Sequence, residues 1–158
     1  GSYTETDNKT AQDIYGLSKT LGEINDDKNL TLRTSIIGPE LKNNGEGLFA
    51  WFINQKGEVN GFSESIWGGV TTIVLSDVII KSIIDGLTGL IHVTNGEPIS
   101  KFNLLHLIKE KFNLIDVKLV SVPMKKSDKS LKTNYNYFDI PTYEEMISEM
   151  REFYLENY

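Results

Sequence analysis

The chain has 158 residues, enough for one domain with a real core, and 22 acidic against 16 basic side chains give a net charge of −6. That balance argues against a nucleic-acid surface, which needs a basic patch; the absence of cysteine excludes disulfides and cysteine-based metal centres, and no metal site is expected. No apolar run reaches the roughly 20 residues of a membrane span, and the opening Gly1-Ser2-Tyr3-Thr4-Glu5 lacks the basic and apolar regions of a signal peptide, so a cytoplasmic protein without a membrane partner is expected.

The segment through Thr10 is polar and loop-like. Ala11 to Glu23 reads as a helix, with Ile14, Leu17 and Leu21 at helical spacing. After a turn at Asn25 to Asn29, Leu30 to Ile37 reads as a single strand stopped by Gly38-Pro39. A Gly/Asn-rich loop precedes a short apolar helix from Leu48 to Asn54, then a strand from Val59 to Ser63. Ser76 to Ile84 is helical, and Leu90 to Val93 is a short buried strand. Ser100 is a good N-cap for a helix to Phe112 whose apolar positions are Leu104, Leu105, Ile108 and Phe112. Val117 to Val122 alternates like a strand. Lys125 to Asp139 is polar and irregular, and Lys125, Lys126 and Lys129 within it read as solvated loop. Pro141 opens the last helix, with Glu144 and Glu145 in its first turns.

Strands that alternate with helices predict an α/β fold with parallel pairing. A nucleotide-binding fold of this class begins with a strand, a Gly-rich turn and a helix, and no Gly-x-Gly-x-x-Gly pattern occurs in this chain. The chain therefore reads as the back of a larger fold. In that setting Leu30 to Ile37, apolar at Leu30, Leu32, Ile36 and Ile37, is expected at a sheet edge.

The chemistry centres on Asp13-Ile14-Tyr15-Gly16-Leu17-Ser18-Lys19. Residues four apart share a helix face, so Tyr15 and Lys19 are expected side by side. An ammonium beside a phenol favours the phenolate, and a tyrosine so placed can give a proton to a carbonyl oxygen or take one from an alcohol. The spacing alone has little specificity in a chain with seven tyrosines. His92, in an apolar run, and His106, in a helix, read as structural histidines. Arg33 reads as a partner in a structural salt bridge. Trp51 reads as core or wall packing. Trp67, placed in a loop among Ser65, Ile66, Gly68 and Gly69, is weighed as a platform for a base or sugar.

The surroundings of the Tyr/Lys pair carry the specificity. Tyr15-Gly16-Leu17-Ser18-Lys19 is followed by Leu21-Gly22-Glu23, a turn, and Leu32-Arg33-Thr34-Ser35-Ile36-Ile37-Gly38-Pro39. This order resembles the extended short-chain dehydrogenase/reductase family. Gly1 to Glu5, Gly69-Val70-Thr71-Thr72 and Glu97-Pro98-Ile99-Ser100-Lys101-Phe102 narrow the resemblance to the dTDP-4-dehydrorhamnose reductase branch, over essentially the whole chain. It implies the C-terminal part of a Rossmann-type parallel sheet plus a small α/β substrate-binding subdomain. Residues 1–40 would hold the Tyr/Lys helix and the following strand, and 41–158 mainly the substrate-binding subdomain with returning Rossmann elements.

The resemblance also implies roles. Tyr15 would donate a proton to the C4 carbonyl of a keto sugar, and Lys19 would hold the nicotinamide ribose of NAD or NADP. Thr34, Ser35 and Ile36 would line the nicotinamide and sugar. Members of the branch carry a tryptophan where this chain has Ile36, a departure that bears on which sugar is bound and not on the reaction class. The expected partner is a nucleotide sugar, and the resemblance leaves a homo-oligomer open. Most of the cofactor site would lie outside this chain, which alone would be inactive. A nucleotide-sugar epimerase or dehydratase, or a non-catalytic regulatory subunit of the same fold, stays open as an alternative.

Overall fold

The longest strand pairing in the computed structural model, which describes residues 1–41, 45–124 and 126–158, is between two six-residue strands. β3 (Gly57–Phe62) lies parallel to β8 (Val117–Val122) over six residues, from Gly57 opposite Val117 to Phe62 opposite Val122. β1 (Leu30–Arg33) is parallel to β6 (Gly89–His92), and β2 (Ile36–Ile37) is parallel to β5 (Val70–Thr71). The exception to parallel pairing is β4 (Ser65–Trp67), which runs antiparallel to β7 (Ile99–Ser100) and parallel to β9 (Ser127–Asp128). The mixed α/β architecture with parallel strands is thus as expected.

The continuous strand read over Leu30 to Ile37 breaks at Thr34 and Ser35. Its two halves answer to different partners, and the linker serves both. Thr34 Oγ1 donates to the Val93 carbonyl at 2.8 Å, and the Ser35 carbonyl accepts from Val70 N at 2.9 Å. Among the described residues β1 pairs with β6 alone, so its other side is a sheet edge, as anticipated.

Among the described residues five helices accompany the strands, and the starts of four of them follow from capping side chains. α1 (Ile14–Gly22) starts later than its apolar periodicity suggested, because the Asp13 carboxylate accepts from Gly16 N at 2.7 Å and fixes the N-cap there. α3 (Thr72–Ile84) starts earlier than expected, because Thr71 caps it by accepting from Val74 N. α4 (Lys101–Lys111) is capped by Ser100, as expected. In α5 (Tyr143–Asn157), Pro141 lies one residue outside the cap; Thr142 and Glu145 form a capping box, each bonding the other's backbone N–H. The polar stretch after Pro123 contains β9, and Leu131 forms a bridge with Tyr3. Of the three lysines read there as loop, Lys125 lies outside the described residues.

Two apolar clusters are joined by α5. Ile147 and Met150 pack with Phe49, Phe52 and Leu104 in one; Tyr143 and Met146 pack with Val70 and Val74 in the other. The short α2 (Leu48–Ile53) turns Phe49 and Phe52 inward, three residues apart on one face. That leaves Trp51 on the outside and 43% exposed, its ring 6.1 Å from that of Phe52, so of the two readings, core or wall packing, the core one does not hold. The loop placement of Trp67 is also corrected: it lies on strand β4 and packs against both clusters, its ring 5.7 Å from that of Tyr143.

Candidate active site

Helix α1 brings the proposed reacting pair together. The Lys19 ammonium lies 5.4 Å from the centroid of the Tyr15 ring, one turn away. Tyr15 is 73% exposed. Among the described residues neither its hydroxyl nor the Lys19 ammonium has a hydrogen bond or ion pair, so both donors are free for a ligand. A cation within about 6 Å of an aromatic face is held there by the ring's quadrupole, which keeps the ammonium beside the phenol.

Thr34, Ser35 and Ile36 form a second group around the β2–β5 contact. Ile37 points into the core, and the alternation of a strand therefore turns Ile36 outward, 56% exposed. Gly69 permits the close approach here. A Cβ on Gly69 would fall 1.9 Å from the Ser35 carbonyl oxygen and 2.5 Å from the Trp67 ring. Trp67 therefore stands beside Ser35, held between the strands. No hydrogen bond or ion pair among the described residues joins Tyr15 or Lys19 to Thr34, Ser35 or Ile36.

What links the two groups is a set of residues that includes some the sequence reading missed. Arg33, at the end of β1, grips Glu23, the C-cap of α1, with Nε donating to Oε1 at 2.8 Å and Nη2 to Oε2 at 2.7 Å. Hydrogen bonds from Arg33 hold the Glu23 carboxyl below its usual range against the opposing effect of burial, with Lys9 assisting. Arg33 was read as a salt-bridge residue, but its partner was not named. His92, 1% exposed, is the structural histidine expected; its ring nitrogens meet Arg33 Nη1 at 2.7 Å and the Lys132 carbonyl at 2.8 Å. Glu5 was missed outside its motif. Its carboxylate accepts from His92 N, Thr133 Oγ1 and Asn134 N. Burial pushes that carboxyl up, but these hydrogen bonds outweigh it and hold Glu5 low. His106 is surface-exposed beside Glu110.

No family profile and no curated protein matches the chain. Solved structures do. A dTDP-4-dehydrorhamnose reductase from Yersinia enterocolitica superposes with a TM-score of 0.77 at 19% identity, over 96% of this chain and 60% of that one. The chain shares the fold of the dTDP-4-dehydrorhamnose reductases. A reductase from Bacillus anthracis, solved in complex with NADP, gives 0.72 at 21% identity, over 99% of this chain and 60% of its own. A hypothetical dTDP-4-dehydrorhamnose reductase from Sulfolobus tokodaii is 30% identical over 83% of this chain and 50% of its own, with a TM-score of 0.69. The chain thus spans 50–60% of the length of these reductases. Nucleotide-sugar dehydratases and epimerases share the fold as well.

Proposed function

We propose that the chain is part of an NAD(P)H-dependent reductase of nucleotide-linked 4-keto sugars. Residues 1–40 would contribute the Tyr/Lys helix and the strand beneath the cofactor, and 41–158 mainly the sugar-binding side. The observation that carries this reading is the Lys19 ammonium over the Tyr15 ring, with both polar ends free, in a chain of reductase fold. The donor chemistry fits a nicotinamide ribose: a phenol and an ammonium one helical turn apart can bond adjacent sugar hydroxyls.

Bound NADPH or NADH supplies the hydride. Tyr15 gives its hydroxyl proton to the C4 carbonyl oxygen, so that the ketone becomes a secondary alcohol. Lys19 keeps positive charge beside the phenolate left behind, which favours that charged form. Ile36, outward at the end of β2, lines the sugar with an aliphatic face, and Thr34 and Ser35 shape the wall around it. Trp67 acts from behind, through its packing beside Ser35.

The test is Tyr15→Phe in the intact enzyme. Removal of a general acid typically costs 10²–10⁴ in rate, so turnover falls about a hundredfold or more while nucleotide-sugar binding persists. Unchanged turnover overturns the assignment and favours a non-catalytic subunit of the same fold. A dTDP-glucose 4,6-dehydratase of this fold was solved with NAD, and the same Tyr/Lys pair suits that chemistry. A product that is epimerised or dehydrated, with no net oxidation or reduction of the cofactor, would identify that alternative.

A further inference from the structure

Helix α1 is attached to the fold by charge. Most helices are oriented by an apolar face buried against their neighbours, yet no residue of α1 is buried, and Ile14, Leu17 and Leu21 are all exposed. Its fixed point is Glu23. Both carboxylate oxygens accept from Arg33 in a two-pronged grip, and Lys9 pairs with the same carboxylate while its ammonium also reaches the Thr20 carbonyl. The neighbouring Ile24 adds a backbone exchange with Thr31 Oγ1 on β1.

The other side of the guanidinium is fixed as firmly. The Lys132 carbonyl can only accept, so His92 Nδ1 donates to it, and Nε2 accepts from Arg33 Nη1. The result is one connected chain in which Arg33 donates both ways, to Glu23 and to His92, and His92 donates onward to the Lys132 carbonyl. His92 is fully buried at the end of β6, so the anchor is rigid where it enters the core. Arg33 is the last residue of β1, directly before Thr34 and Ser35. The side chain that grips the Tyr/Lys helix thus belongs to the strand whose continuation forms the other half of the candidate site.

We infer that Glu23 is a positioning residue: the Glu23–Arg33–His92 chain sets where α1 presents Tyr15 and Lys19 relative to Ser35 and Ile36. The consequence for turnover rests on the reductase reading; the placement of the helix does not. Proton transfer demands placement within a fraction of an ångström, and the Glu23–Arg33–His92 chain ties α1 to the strand that leads into the other half of the site.

The test is hydrogen–deuterium exchange on this chain as wild type, Glu23→Gln and Arg33→Lys. Glutamine keeps the shape and loses the charge. Lysine keeps the charge but cannot form the fork and reach His92 together. Losing the charge-assisted pair at Glu23 should accelerate exchange of the α1 amides about tenfold or more, with β3 and β8 unchanged. In the intact enzyme, Glu23→Gln should lower kcat and leave KM for the nucleotide sugar little changed, and Glu23→Asp should recover part of the loss. Unaltered α1 protection in both variants overturns the inference. So does acceleration throughout β3 and β8, which would make the chain a general stabiliser, or faster α1 exchange with kcat intact. If Tyr15→Phe is fully active while α1 still loosens, the reductase reading fails and the anchoring stands.

Discussion

Tyr143 illustrates how much one atom can matter. It is 8% exposed, packed against Trp67, and its hydroxyl has no hydrogen-bond partner among the described residues. Burial pushes that hydroxyl's pKa far up, and the negative charge of Glu97 adds to the effect, so the group stays neutral at any working pH. A buried hydroxyl without a partner bears its desolvation cost uncompensated, on the order of 1–3 kcal/mol. Tyr143→Phe should therefore be neutral or stabilising by up to about 1 kcal/mol, against the usual direction for a core substitution. Chemical denaturation of both proteins checks this; a loss of more than about 1 kcal/mol would mean that the hydroxyl has a role the packing does not show. Glu5 is the opposite case, a carboxylate whose oxygens are taken up by three donors from two distant segments.

Among the elements, the helices were legible wherever a capping side chain stood next to an apolar period. Ser100 before Leu104, Leu105 and Ile108 marked α4 correctly. At α5 the proline drew attention away from Thr142, which does the capping. Replacing a capping threonine by alanine costs about 1 kcal/mol. Thr142→Ala should lower stability by roughly that amount, and by more than Ser148→Ala at a half-buried position later in the same helix; thermal unfolding compares the two. A change of equal size at both positions would show that the capping box contributes nothing particular. The Tyr/Lys pair was legible because it is local, one turn of one helix. What could not be read was whatever depends on a distant partner. Thr34 and Ser35 look like strand residues until β6 and β5 claim the two sides of the break. Trp67 looks like a loop residue because β7 and β9, its pairing partners, come much later in the chain. Arg33 and His92 meet across 59 positions, and no local pattern announces that contact.

For the molecule as a whole, the chain shares the fold of the reductases, but the sequence contains no Gly-x-Gly-x-x-Gly turn between a strand and a helix. Such a turn and its helix N-terminus bind the pyrophosphate of a dinucleotide. In the proposed reading Tyr15 and Lys19 would contact one ribose and nothing more, so this chain by itself should show no micromolar binding in a calorimetric titration with NADPH or NADH. Micromolar affinity would mean that the chain holds the cofactor by other means. The β1 edge and a groove of about 320 Å³ lined by Leu30, Leu32, Ile79 and Ile83 lie together on one side of the molecule.

The pairing pattern has a further consequence, for how the chain reaches this structure. Glu58 and Lys118, side by side on β3 and β8, are 60 positions apart, and Glu5 meets Thr133 across 128. Contacts of such long range must close large loops before they return any stabilisation, and folding rates fall accordingly. Helix α1 has no buried face to recruit it early, and its anchor exists only once β1 and β6 have brought Arg33 to His92. The helix that carries Tyr15 and Lys19 is therefore expected to be the last element to lock during folding, and the first to be released when the chain unfolds.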